Sequence, residues 1–246
     1  MKKIRDCFQQ ELVESLQIAH SLIAISSLGE EPLLENMKKN PESGHQFAIP
    51  IPGAMGIEIA KLNFMTWKDI FATYHAHKAA IHELVHAQMV QKWYDFLNQL
   101  FEKVVKDHFS GVKSYPKVPQ LKVTIDFSID NSTTLIQNIP ERAREWFDFI
   151  KAEEKINKIE KILGIQIDQQ LKSSIKKHII VRNILEHNNG VIRDRDVKDL
   201  GSQVINLFDD SATDKDFKVG DRVKITFYEL LRIRHDFHKA ASIMIP

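Results

Sequence analysis

Ile179-Ile180-Val181-Arg182-Asn183-Ile184-Leu185-Glu186-His187-Asn188-Asn189-Gly190 reads as the closing turns of an amphipathic helix with an Asn-Asn-Gly stop. Gly or Asn just beyond the last periodic residue supplies the left-handed backbone that ends a helix. One apolar line, Leu171, Ile175 and Ile179, continues at helical spacing onto Arg182 and Asn183. A second, Ile180 to Ile184, continues onto His187. A guanidinium, an amide and an imidazole therefore stand where the pattern asks for Leu or Ile. Polar groups taken out of water are costly unless partnered, so three on one helix point to a functional reason.

Working outward, Asp168 can cap this helix at its start, giving a span from Gln169 to His187. The helix before it begins at Asn138-Ile139-Pro140-Glu141, with Pro near the first helical position and acidic residues in the first turn. It carries Trp146, Phe149, Ile150, Ile156, Ile159 and Leu163, and Gly164 ends it. The longest helical pattern runs from about Trp67 to Phe109, with a break near His75 and an apolar face from Ile81 through Val85, Met89, Phe96, Leu97, Leu100 and Phe101 to Val104. After Gly190 come the charged step Arg193-Asp194-Arg195-Asp196, a modest helix over Val197 to Phe208 and an exposed loop through Asp216. A turn at Lys218 to Val223 then leads into a final helix from Thr226 to Met244.

At the other end, residues 3 to 28 read as a first helix stopped by Gly29 and Pro32. Residues 30 to 66 hold Pro41, Pro50 and Pro52 with Gly44, Gly53 and Gly56, a loop-rich cover containing the short run Phe47-Ala48-Ile49. Leu121 to Phe127 alternates strictly and is the clearest strand signal; it is expected to pair with the run at 47–51. The fold expected is mainly all-α, an antiparallel helical bundle with an extra N-terminal helix and a small β-ribbon. Residues 1–66 form the N-terminal helix and cover, and residues 67–246 the bundle as one compact unit.

Composition bounds the function classes. Lys+Arg number 34 against 33 Asp+Glu, so no global field favours nucleic acid and any RNA contact must come from a local patch. The single Cys7 allows neither an internal disulfide nor a thiolate metal site, which suits a reducing cytosol and a cytoplasmic protein. The charged opening Met1-Lys2-Lys3-Ile4-Arg5-Asp6 does not read as a signal peptide, and no membrane association is expected.

Arg182 and His187, separated by four residues with a polar Asn183 after the Arg, resemble the R-x4-6-H signature of the HEPN superfamily. The long helix with Trp93-Tyr94, the paired helices at 140–163 and 169–188, and the Gly220-Asp221 step before a closing helix are similar in arrangement to bundles that carry this motif. The resemblance covers about residues 70 to 246; residues 1–65 lie outside it. It implies a metal-independent endoribonuclease with no cofactor. His187 would be the catalytic imidazole, Arg182 a phosphate clamp and Asn183 a polar orienter.

Cleavage of RNA without metal needs a base for the 2′-hydroxyl proton, an acid for the leaving 5′-oxygen and a cation for the phosphorane. His titrates near neutrality and Arg offers a permanently charged fork. Residues five apart on an ideal helix point ~140° from each other, so the two side chains flank a groove rather than meet. The resemblance answers the shortage of histidines with a homodimer that pairs two motifs. It also implies RNA as partner, with an antitoxin or anti-phage defence protein as the biological setting. A catalytically silent RNA-binding, nucleotide-binding or dimerisation module of the same type is the alternative. The plainest reading pairs Arg182 with Glu186 at i,i+4 and leaves His187 on the helix dipole.

Two further features carry chemistry. His82-Glu83-Leu84-Val85-His86 is H-E-x-x-H, in which His82 and His86 would hold zinc and Glu83 act as base in a zinc hydrolase. The extended zinc-protease pattern is absent, because Met89 and Lys92 stand where Gly and His belong. Histidines packed at a helix interface are the simpler reading. Arg193, Arg195, Arg232 and Arg234 are candidate RNA contacts, with His235 and His238 beside the last two; a charged outer face of the final helix accounts for that pair equally well.

Overall fold

The computed structural model describes residues 1–46, 48–53, 56–61, 63–118 and 132–246. Along the chain the elements are α1 (Lys2–Lys39), β1 (Gly44–His45), β2 (Ala48–Gly53), β3 (Gly56–Lys61), β4 (Met65–Thr66), α2 (Trp67–Ala76), α3 (Ala80–Phe109), α4 (Ser132–Asp148), α5 (Ala152–Leu163), α6 (Gln169–His187), α7 (Asp194–Leu200), β5 (Ile205–Phe208), β6 (Asp214–Phe217) and α8 (Phe227–Met244). Among the described residues helices predominate and the sheets are two-stranded ribbons, so the expected mainly all-α class holds.

Residues 1–17 and 82–246 form one compact unit, and residues 18–81 another. The first seventeen residues thus group with the bundle, and residues 67–81 with the cover. In the larger unit Trp93 of α3 is fully buried. Phe96 lies at 5.5 Å and Phe237 of α8 at 4.9 Å from it, both stacked, with Phe8 of α1 at 5.9 Å. Phe101 stacks on Phe147 of α4 at 4.2 Å. These rings come from four helices distant in sequence, and each contributes roughly 1.5–3 kcal/mol by leaving water. They hold the scaffold on which α6 lies against α5, α7 and α8.

The smaller unit contains the rest of α1, the antiparallel β2–β3 ribbon in register Ala48↔Lys61 to Gly53↔Gly56, the β1–β4 pair and α2. Thr66 caps α2 by accepting from the Asp69 N–H at 3.0 Å. Glu30 accepts from Lys78 at 3.0 Å and lies 3.5 Å from His75, tying α1 to α2.

Several local expectations change. The first helix does not stop at Gly29; α1 runs on to Lys39 with Pro32 inside it. Pro32 removes a hydrogen bond to the carbonyl of Leu28, and that turn is exposed (Leu28 79%), so water can take the carbonyl. Extended in this way, α1 is apolar and long enough by length and composition to cross a membrane, a test that core helices also pass. Residues 48–53 form β2 and pair with β3; the partner expected for this run, Leu121–Phe127, lies outside the described residues.

The helix expected from Pro140 starts earlier, at Ser132, and breaks at residues 149–151 into α4 and α5. The break resets the phase, so Phe147 is buried and Phe149 is 92% exposed. The helix expected over Val197 to Phe208 ends at Leu200 on Gly201, whose φ of 76° is left-handed. Beyond it the burial of Ile205 and Leu207 alternates with half-buried neighbours, which is strand periodicity. β5 and β6 then pair antiparallel, turning the expected exposed loop into a hairpin.

Candidate functional site at the end of α6

α6 forms as the sequence indicates. Asp168 Oδ1 accepts from the Leu171 N–H at 2.8 Å, and Asn188 closes the helix. Asn189 and Gly190 take positive φ (52° and 79°), and the Gly190 N–H returns to the Ile184 carbonyl at 3.0 Å. The Ile184 carbonyl thus accepts from both the Asn188 and the Gly190 N–H, each at 3.0 Å, which folds the stop back onto the last turn. The turn is stitched to the 218–223 segment, where Val223 N–H donates to Gly190 O at 2.9 Å and Ile192 N–H to Asp221 O at 3.0 Å. Arg222 donates from Nη1 to Asn189 O at 2.7 Å, and its Nη2 lies 3.3 Å from Glu83 of α3.

The motif residues sit on the outside of this end. Leu171, Ile175, Ile179, Ile180 and Ile184 are buried as expected, but Asn183 and His187 are exposed and Arg182 is half-buried. The apolar lines do not carry polar side chains into the core: Val181, Ile184 and Asn188 keep the buried face of these turns, and Asn183 and His187 fall on the other. Arg182 Nη2 is 2.7 Å from Glu186 Oε2, and its Nη1 donates to Asn183 Oδ1 at 3.2 Å. Its Nε is buried without a hydrogen-bond partner among the described residues. Tyr94 of α3 is close to the pair: burial raises its phenol pKa, Arg182 lowers it and Glu186 raises it.

The four candidate arginines divide. Arg195, on the first turn of α7, donates to Asn188 Oδ1 at 3.2 Å and so adjoins the motif, and Arg193 just precedes that helix, exposed. Arg232 is not a free RNA contact. It is mostly buried, bound to Asp214 and 3.6 Å from Glu229, with its guanidinium 3.2 Å from the centre of the Phe208 ring. Arg234, two residues on, points ~160° away around α8 and is half-buried with its Nε unpartnered. It lies near His238, whose pKa is lowered by burial, Arg234, His235 and Arg5. Among the described residues, Arg232 and Arg234 thus lie on different sides of α8. Arg222, by contrast, was not singled out in the sequence, because only the tertiary bridge to Asn189 and Glu83 reveals it.

The H-E-x-x-H turn is divided between core and surface. His86 is fully buried beside His178, ring centres 5.8 Å apart, with both ring nitrogens unpartnered among the described residues, and burial holds its pKa well below the usual range. His82 is half-buried, its pKa lowered by burial, while the Glu83 carboxylate is engaged by Arg222. Among the described residues no group of three His, Cys, Asp or Glu is placed to hold a metal ion.

Sequence reasoning missed the buried polar cluster on the first half of α6. His178 Nε2 is 3.1 Å from Asp236 Oδ2, which also accepts from Ser174 Oγ at 2.5 Å. His178 Nδ1 and Lys177 Nζ each lie 3.6 Å from Glu229 Oε1, and Glu229 Oε2 accepts from the Phe208 N–H at 2.8 Å. Burial lowers the pKa of His178 and of Lys177 against the opposing pull of the carboxylates. Burial pushes Asp236 up, but its hydrogen bonds from His178 and Ser174 and nearby positive charge bring it net down. The available signal was Glu229 and Asp236 seven residues apart on α8, one face opposite Ser174, Lys177 and His178. No family model, curated protein or solved structure matches this chain.

Proposed function

We propose that this chain is a HEPN-type endoribonuclease that cleaves RNA without a metal ion, at a site completed by a second copy of the chain. The observation that carries the reading is the exposed end of α6. There a half-buried Arg182 with an unpartnered Nε stands beside exposed Asn183 and His187, on a mainly helical scaffold. A site read by RNA must present its cation and its imidazole to solvent, and this one does. His187 exchanges the protons: one copy takes the 2′-hydroxyl proton, the 2′-oxygen attacks phosphorus, and the other copy's imidazole protonates the leaving 5′-oxygen. Arg182 stabilises the charge that builds on the phosphorane oxygens, and Asn183 orients the phosphate. The products are a 2′,3′-cyclic phosphate and a 5′-hydroxyl. A toxin–antitoxin or anti-phage setting belongs to the same proposal.

The Arg182–Glu186 contact at 2.7 Å favours a second reading, a silent module that binds RNA or nucleotide, or dimerises, without cleaving. Incubation of RNA with the protein in EDTA separates the two. Wild type yields 2′,3′-cyclic ends, and His187→Ala and Arg182→Ala lose the activity while the oligomer stays intact. RNA binding without cleavage selects the silent module, and cleavage that survives His187→Ala removes the motif from the chemistry.

A further inference from the structure

On the first half of α6, away from the motif, a cleft of about 710 Å³ opens between α6, the end of α7, the β5–β6 ribbon and α8. That is the size range of small-molecule sites. Two charged groups in its lining have unused capacity. Lys177 is 9% exposed, and among the described residues its ammonium makes no hydrogen bond; its nearest anion, Glu229 Oε1, is 3.6 Å away. Asp236 spends Oδ2 on Ser174 and His178, and its Oδ1 makes no hydrogen bond among the described residues. The other strong charge in the lining, Arg232, is taken by Asp214, Glu229 and the Phe208 ring. At the rim, Lys239 and Asp168 lie 3.9 Å apart.

The lining therefore carries three cations, Lys177, Arg232 and Lys239, against three carboxylates, Asp168, Asp214 and Asp236. A lone oxyanion drawn to Lys177 would face Asp236, with Glu229 behind. A lone amine drawn to Asp236 would face Lys177 and Arg232. A molecule with both charges satisfies both groups at once, and desolvated charges reward such pairing most. We propose that this cleft binds a small zwitterion of the amino-acid class, with its carboxylate on Lys177 and its ammonium on Asp236. The assignment goes beyond the ribonuclease reading and uses none of its residues.

The test is titration of the 246-residue chain, followed by ligand-observed NMR, with L-glutamine, alanyl-glutamine, propionate and propylamine. One of the two zwitterions should bind at least about tenfold more tightly than either half-ligand. Binding by the amino acid or by the dipeptide then sets the size of the ligand. Lys177→Met and Asp236→Asn should each weaken it about tenfold or more. Ser173→Trp, which fills the cleft from an exposed position outside the buried network, should abolish it, and His187→Ala should leave it unchanged. Half-ligands that bind as well as the zwitterions overturn the proposal. So does binding indifferent to Lys177→Met and Ser173→Trp, or no binding of either zwitterion at millimolar concentration.

Discussion

The two halves of α6 carry polar side chains in opposite settings. In the first half, Ser174, Lys177 and His178 face α8 and are matched by Glu229 and Asp236, with His178 fully buried. In the second half, Arg182, Asn183, Glu186 and His187 face solvent or lie at its edge, and Arg182 bonds to Asn183 and Glu186. Burial makes the first set a structural commitment, since an unpaired partner there is left out of water. Exposure makes the second set cheap to keep and cheap to lose. A change in the first half should appear as stability, and a change in the second as activity.

The largest effect expected is in the second half. Arg182→Ala and His187→Ala should each lower RNA cleavage in EDTA by about 10²–10⁴-fold, the usual worth of a positioned proton-transfer or charge-stabilising group. Both should leave the denaturant midpoint nearly unchanged, because surface substitutions cost within about 0.5 kcal/mol. An equal loss of stability and cleavage would merge the two halves and remove the distinction.

The first half should respond in the other way. Glu229→Ala removes the acceptor of the Phe208 N–H and the buried carboxylate that lies 3.6 Å from Lys177 and His178. It should cost about 3–5 kcal/mol in chemical denaturation, as when one member of a buried pair is removed. A cost below about 1 kcal/mol would mean that water already serves these groups.

Next comes pH. Burial is the main cause that depresses both His86 and His178 below their ordinary value of 6.5. Between the folded and unfolded pKa values the unfolded chain binds more protons, so stability is full above about pH 6.5 and falls as pH drops through and below it. The slope is at most ~1.4 kcal/mol per pH unit for each histidine. Urea midpoints measured from pH 7.5 to 5 should therefore decline in wild type and decline less steeply in His86→Phe, where only His178 remains. A flat wild-type profile would place His86 and His178 in contact with water.

The contrast also explains what the sequence could and could not convey. The helix α6, its Asp168 cap and its Asn-Asn-Gly stop were legible because each rests on neighbours within a turn. So was the break between α2 and α3, which falls at residues 77–79. Periodicity, however, says only that positions share a helix face; it does not say where the neighbouring helices end. Extrapolating the apolar lines of α6 put Asn183 and His187 inside, whereas the buried face at this end runs through Val181, Ile184 and Asn188 and leaves both on the solvent side of the same turns. The truly buried polar groups were invisible one helix at a time, since His178 is explained only by Asp236, fifty-eight residues away. The pairing of Arg222 with Glu83 across 139 residues is hidden for the same reason. Phe149 failed differently: a local break at 149–151 shifted the phase by which its burial was read.

The smallest effect expected bears on Glu186, where the two readings of the motif part. Its carboxylate holds Arg182 at 2.7 Å in a partly exposed i,i+4 pair, of a kind worth about 0.3–0.5 kcal/mol. Glu186→Gln should therefore barely change stability. If Arg182 is a phosphate clamp, the carboxylate competes with RNA for the guanidinium, and its removal should tighten RNA binding. The dependence of log K on log salt should then steepen by less than about one, the worth of one further phosphate contact. If the pair only closes the helix, stability falls by the same few tenths while affinity and salt slope stay put. Because the substitution leaves Arg182 and His187 in place, an unchanged slope would count against the clamp itself rather than against the fold that displays it.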